Sequence, residues 1–316
     1  MSKRDEQRQL VKIATLYYVD GLKQSEIAKT LDLSQSFVSR SITRCLNEGY
    51  VKISVIQPSH VFLGLESQLQ KRFNITQAIV VDVPDSPSED QIKQAIGSAA
   101  AHYLQTSLRP NDLVGVSAWS GTISAMVNSM HPLPVKAKGV IQLLGGVGPN
   151  GNIQATLLTH SLANMLNCKP SLLPSQSIER SIEAKKQLMA SNEVTEVVEQ
   201  FSKVDLAIVG IGMLEPSVLL KNSGNYHHKE MLNKLAQQGA VGDICLHYYN
   251  EKGEAVLSDE EDPVIGMPLA QVKNCPRVVA LAGGLEKKGA ILGALVGGYI
   301  DVLVTDRLTA ETLLMA

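Results

Sequence analysis

From residue 77 onward the chain alternates near-continuous Val, Ile, Leu and Ala runs with stretches of helical period, and few folds tolerate that pattern. QAIVVDV (77–83) precedes a helical pattern over 89–107; DLVGVS (112–117) precedes one from about 120; GVIQLL (139–144) precedes one over 154–166. VDLAIVGIG (204–212), RVVALAGG (277–284) and IDVLVTD (300–306) continue the series. A strand wetted on one face alternates apolar and polar residues, whereas one buried on both faces does not. The runs therefore predict a parallel sheet covered by helices, an α/β architecture of the doubly wound, Rossmann-like kind. In such sheets ligands sit at the carboxyl ends of the strands. The Gly- and Ser-rich stretches SAWSGT (117–122), GGVGPNG (145–151), GIG (210–212) and GGLEKKG (283–289) fall at those ends.

The first 60 residues read differently. Leu10, Ile13, Ala14 and Tyr17 recur at helical spacing over 5–19, and Asp20-Gly21 stops that helix. QSEIAKTL forms a second helix with Ile27, Ala28 and Leu31 on one face. Asp32-Leu33-Ser34 breaks it, and Ser34 is an N-cap for a third helix, QSFVSRSITRCLNEG, ending near Gly49. Two short helices joined by a tight turn, with small Ala28 at the crossing, make a helix-turn-helix. Ile27, Leu31, Leu33 and Val38 supply its apolar anchors, and Asp32 takes the left-handed turn position often filled by Gly. Ser41 stands where a further apolar anchor is common, with Ile42 beside it.

The third helix turns Gln35, Ser36, Ser39, Arg40, Thr43 and Arg44 outward, beginning at Ser34. Gln pairs with adenine and Arg with guanine or phosphate, so this face is suited to the major groove; a plain three-helix bundle with a solvated face is the alternative. Charge is consistent with the first reading. Residues 1–60 hold nine Lys/Arg and six Asp/Glu, a net of +3, against −5 for the remainder. VKISVI (51–56) reads as a strand closing the head, and VFLGLESQLQKRFNI (61–75) as an amphipathic connecting helix carrying Phe62, Leu65, Leu69 and Phe73. The expected division is 1–56 for the head, 57–75 for the linker helix and 76–316 for the large domain.

Several classes of function fit poorly. The charged start MSKRDEQRQL lacks the apolar stretch of a signal peptide, and no run approaches a membrane span. Cys45, Cys168, Cys245 and Cys275 are far apart and match no metal or disulfide pattern, which fits a reducing cytoplasm with no metal and no cofactor. Gly146, Gly148 and Gly151 satisfy GxGxxG, but Pro149-Asn150 reads as a turn and no acidic residue follows to hold a ribose. Gly284 and Gly289 are spaced as in a P-loop, with Ala290-Ile291 replacing the Lys-Ser/Thr pair. Gly115-Val116-Ser117 has Trp119 where a nucleophile elbow needs Gly.

An anion cradle remains. Ser117, Ser120, Gly121 and Thr122 lie where a strand yields to a helix, so hydroxyls and helix-start N–H groups converge; ordinary capping explains the same residues. Lys287 adds a point charge or is a solvated helix residue. Asp243, in GAVGDIC, sits in an apolar and glycine-rich setting, where a carboxylate needs a structural partner or a ligand. His227 and His228 are adjacent and share no helix face, His160 and His247 show no partner, and Asp259–Asp262 reads as a solvated loop.

LYYVDGLKQSEIAKTLDLSQSFVSR together with VDLAIVGIG, GAVGDIC and GGLEKKGAILGALVGGYIDVLVTD resembles the SorC family of sugar-sensing transcription regulators over nearly the whole chain. The tail ILGALVGGYIDVLVTDRLTAETLL is most similar to the sorbose-operon regulator branch. The resemblance implies an effector domain related to the sugar-phosphate isomerase and deaminase fold but without catalysis, and a phosphorylated sugar or polyol effector. It also implies dimers or tetramers on a palindromic operator. By the same resemblance Ser117–Thr122, with Trp119 inside it, is the phosphate loop; Asp243 and Lys287 face the ligand, and Gly145, Gly146 and Gln154 form a second ligand-side segment. SAWSGT has one residue more than the family's usual loop, so the resemblance does not single out which Ser meets the phosphate.

Two other functions compete with a ligand-controlled regulator. A sugar-phosphate isomerase or deaminase with an appended helix-turn-helix needs a placed general base, for which Asp243 is the one candidate. A DNA-binding protein whose large domain only oligomerises leaves the cradle unexplained.

Overall fold

The structure, a computed structural model, describes residues 3–51 and 60–315. The chain divides into two compact units, Met1–Gln57 and Pro58–Ala316. All but Val51 of the strand expected over VKISVI lies outside the described residues.

The first unit is built from α1 (Lys3–Tyr18), α2 (Gln24–Leu31) and α3 (Gln35–Asn47). Its centre is Ile13, Ile27, Ala28, Val38 and Ile42, with Leu10, Ala14 and Cys45 packing beside them. The turn between α2 and α3 follows from its residues. Asp32 adopts φ +53°, the Leu33 N–H donates to the Ala28 carbonyl (2.8 Å), and the Ser34 hydroxyl accepts from the Phe37 N–H (3.3 Å). Ser41 is buried, and Ile42 provides the anchor that Ser41 does not.

In the second unit α4 (Leu63–Phe73) leads into β1 (Gln77–Val81), α5 (Glu89–Ser107), β2 (Leu113–Val116) and α6 (Gly121–Asn128). β3 (Gly139–Gln142), α7 (Gln154–Met165) and β4 (Pro170–Ser171) follow, then α8 (Ile182–Met189), α9 (Asn192–Val198) and β5 (Leu206–Gly210). After α10 (Val218–Ser223) and α11 (Lys229–Gln237) come β6 (Ala240–Ile244) and β7 (His247–Asn250). The chain closes with α12 (Leu269–Asn274), β8 (Val278–Leu281), α13 (Lys288–Val296), β9 (Val302–Asp306) and α14 (Arg307–Met315).

Seven strands make one parallel sheet in the order β1-β9-β8-β5-β2-β3-β4. Val114, Ile141 and Ile208 are fully buried in it, and side chains of this kind are worth about 1.5–3 kcal/mol each when withdrawn from water. From β2 the chain steps to β3 and β4 on one side; it then returns to β5 on the other side of β2 and proceeds to β8 and β9. The order therefore reverses between β2 and β5, where a crevice must open beyond the strand ends. The helix α4 packs on β1 and α14, so it belongs to this unit.

GAVGDIC occupies neither a strand of the main sheet nor a helix. It forms β6, paired antiparallel with β7 in a separate hairpin that the apolar runs do not announce. The two residues at the hairpin tip, Cys245 and Leu246, have φ +52° and +63°. Such turns favour Asn-Gly, and holding a Cys-Leu pair there stores backbone strain. Asp262 and His247 also depart from the sequence reading. Asp262 leaves its solvated neighbours, is buried, and accepts from the Val264 N–H while its carboxylate bonds His247 Nδ1 at 2.6 Å. Burial acts to raise the Asp262 carboxyl, but His247, the Val264 N–H and Lys185 together outweigh it and hold the group below its ordinary value.

Candidate functional site

At the β2/β5 reversal a cleft of about 610 Å³ opens, within the size range of sites that enclose small molecules. Its floor comes from the ends of the two strands. Ser117 follows β2, and Gly210, Ile211 and Gly212 end and follow β5. Ser120 caps α6 there, its hydroxyl accepting from the Ile123 N–H at 3.3 Å. The N-cap of α6 thus lies at the crevice, and helix starts carry orphan N–H groups and a positive dipole end.

The hairpin supplies the opposite wall. Gly212 and Asp243 exchange backbone hydrogen bonds (3.0 and 3.2 Å), and a Cβ on Gly212 would stand 2.0 Å from Asp243 Oδ1, so only glycine lets the two segments meet. Asp243 Oδ2 accepts from the Leu246 N–H at 2.9 Å and so holds the strained tip in place. Burial pushes the Asp243 carboxyl up to about 6, against the opposing pull of that N–H, Lys287 and His247. The Cys245 thiol is pushed up to about 12 by burial and hydrogen-bonds with the Ser117 side chain, which makes it a wall atom rather than a nucleophile.

Lys287 ends a single helical turn, Leu285–Lys287, at the start of α13. The loop before it is anchored by Asp306, which accepts from the Gly284 N–H at 2.9 Å. Lys287 Nζ donates to the Ile211 carbonyl at 2.9 Å, which fixes the ammonium over the end of β5. Burial draws its pKa below the ordinary value, with Asp243 and two glutamates partly restoring it. A half-buried ammonium and a buried carboxylate with spare hydrogen-bonding capacity therefore line one crevice.

Of the residues expected at the ligand, Ser117, Trp119, Ser120, Asp243 and Lys287 line this cleft. The Trp119 indole N–H is already given to the Gly145 carbonyl at 2.7 Å, so the ring offers only its apolar surface. Gly121, the first residue of α6, is half-buried and Thr122 is buried, and neither is among the residues that line the cleft. Gly145, Gly146 and Gln154 do not reach the cleft. Gly145 is an anchor, since its carbonyl also accepts from Ser177 and a Cβ would meet the Gln176 carbonyl oxygen at 2.1 Å. The Gly146 N–H donates to the Leu173 carbonyl, and Gln154 is exposed at the start of α7, beyond β3 and one strand removed from the crevice.

Sequence reasoning missed Glu89 and Lys93 of α5, Cys245 and Leu246, and the rim of residues 213–221. A signal for the first two was available: α5 starts at the carboxyl end of β1, the same sheet edge, with Glu89 and Lys93 at i,i+4. Hairpin and rim had no such signal. Among the described residues no group of three or more His, Cys, Asp and Glu could hold a metal ion, and no helix is long and apolar enough to cross a membrane.

In the first unit Ser34, Gln35, Ser36, Ser39, Arg40, Thr43 and Arg44 are all exposed on and before α3. The two arginines differ. Arg44 is engaged by Glu48 of its own helix and by Glu6 of α1, whereas Arg40 has no ion pair among the described residues.

Comparison with known proteins extends over both units. The family described as "Putative sugar-binding domain" matches residues 59–315. The sorbitol operon regulator of Klebsiella pneumoniae is 30% identical over 99% of this chain and 100% of its own. The structure of the full-length sorbitol operon regulator SorC from that organism superposes with a TM-score of 0.73, at 28% identity, over 97% of this chain and 98% of the other. A solved domain of the transcriptional regulator DeoR from Pseudomonas syringae pv. tomato, given the same sugar-binding description, is 48% identical, covers 80% of this chain and 98% of its own, and has a TM-score of 0.63. These relatives are regulators, which sets aside the isomerase or deaminase reading. The chain belongs to the sugar-binding-domain family of transcriptional regulators that includes SorC.

Proposed function

We propose that this protein is a cytoplasmic, one-component regulator in which a phosphorylated sugar or polyol in the cleft controls operator binding by the head. The observation that carries the reading is the convergence at one crevice of the α6 start, the Lys287 ammonium and the buried Asp243 carboxylate. A phosphoryl group suits the first two, because helix-start N–H groups and an ammonium are matched to an anion. Sugar hydroxyls suit Asp243, whose carboxylate oxygens can accept from them.

Output lies in α3. Gln35, Ser36, Ser39, Arg40 and Thr43 are presented to the major groove, with Ser34 at the helix start. One such helix reads few bases, so two or four copies acting on a palindromic operator of a carbohydrate or polyol operon supply the needed contacts. The four cysteines are free thiols, in keeping with a reducing compartment.

A thermal-shift screen of sugars and polyols with and without a phosphoryl group tests the reading, because a ligand of the native state raises apparent stability by mass action. A response to phosphorylated compounds that also changes operator retention in a gel-shift assay is expected. Response only to unphosphorylated compounds would remove the phosphate reading, and operator binding indifferent to every stabilising compound would remove the switch.

A further inference from the structure

Lys93 sits on the second turn of α5 and lines the same cleft as Lys287. Its side chain is 30% exposed and lies across the opening residue of α6: a Cβ on Gly121 would stand 3.4 Å from Lys93 Cε and 3.6 Å from Nζ. The ammonium is thus parked beside the helix start that forms the anion seat. In this structure it is held by Glu89 at 2.6 Å, with Asp90 more distant at 3.9 Å. Lys93 also acts electrostatically on Lys287, so the two cations share one region of the cleft.

Glu89 is 68% exposed, and an ion pair with a solvated partner is a weak hold. A phosphoryl group carries a charge of roughly −1.5 to −2 at neutral pH, more than one ammonium neutralises. Two lysines and a helix start match it, whereas an uncharged sugar leaves the two cations facing each other.

Building on the phosphorylated-effector reading above, we infer that Lys93 is a second phosphate-binding cation, held in reserve by Glu89 and transferred to the phosphoryl oxygens when the effector enters. Glu89 then sets the affinity by competing with the ligand, and the Lys93–Lys287 pair selects phosphorylated over neutral compounds.

The test uses the full chain with inorganic phosphate and glycerol 3-phosphate as probes and glycerol as the neutral control, followed by calorimetry. Lys93→Gln should weaken phosphate and glycerol 3-phosphate binding about 10-fold, the scale of losing one charge-assisted bond at a partly exposed site. Glu89→Gln should tighten both about 3-fold by releasing Lys93, and that gain should vanish in the double variant, because the two residues act on each other. Operator binding without ligand and the thermal melt serve as controls for an intact fold. Wild-type protein that binds neither probe would overturn this inference and the phosphorylated-effector reading together. Wild-type binding that Lys93→Gln retains, or a Glu89→Gln variant that binds phosphate no better, would overturn the Lys93 assignment alone.

Discussion

The polar face of the head and the polar lining of the cleft are assembled in opposite ways. Gln35, Ser36, Ser39, Arg40 and Thr43 are close in sequence, exposed and carried by one helix, whereas Ser117, Asp243 and Lys287 come from remote stretches and two of them are buried. Exposed residues on one helix can change without disturbing the fold, since they face water; Arg44, paired with Glu6 and Glu48, is the exception. Residues of the cleft hold structure as well: Asp243 pins the Leu246 N–H, and Lys287 binds the Ile211 carbonyl. Apart from Arg44, the head's polar face is therefore separable from stability, and the cleft's lining is not.

The largest effect should come from Lys287→Met. Losing a charged donor costs about 1.5–3 kcal/mol, so effector affinity should fall about 10- to 100-fold while effector-free operator binding is unchanged. Equal affinity by calorimetry would place the anion seat elsewhere. In the head, Arg40→Ala should weaken operator binding by about 1–3 kcal/mol, the usual cost of a lost arginine contact. Arg44→Ala should act mainly by loosening α1 from α3, as a lower melting temperature of the head. Should gel shifts show Arg44 to matter as much as Arg40 without any thermal change, the distinction between a reading and a clamping arginine is wrong.

The third prediction concerns pH and links the two roles of Asp243. Its carboxyl is raised from 3.8 to about 6 by burial, so the folded protein keeps a proton that the unfolded chain releases. The stabilisation from that proton is complete below the unfolded value and is lost as pH rises through the folded one. At pH 7.5 Asp243→Asn should therefore be more stable than the parent, by at most on the order of 2–3 kcal/mol. The gap in melting temperature should close as pH falls toward 4, and a gap independent of pH would mean that burial of the charge is not what strains the site. Effector affinity should fall at every pH.

Much of this was legible in the chain. Strand and helix runs from 77 to 306, the left-handed Asp32, the Ser34 cap and the outward face of α3 all depend on neighbours within a few positions, which is the range over which periodicity and capping act. The place of Ser117, Ser120 and Lys287 at the cleft was legible for a related reason, because each follows a strand at the edge where parallel sheets open their crevices. Gly145 and Gly146 satisfied the same rule and yet do not line the cleft, although Leu144 before them does, because both are packed against the segment 173–177, a contact no local pattern encodes.

By itself, then, the sequence determined the element types, the head's exposed polar face and the edge of the sheet on which the cleft opens, all consequences of short-range chemistry. Only the tertiary structure decided which strand ends meet. It brought the β6–β7 hairpin over the crevice, paired His247 with Asp262, engaged Arg44 with Glu6 and laid Lys93 beside the start of α6. Those contacts join residues from remote parts of the chain, and packing selects them by burial and hydrogen-bond satisfaction rather than by any property of the residues in isolation.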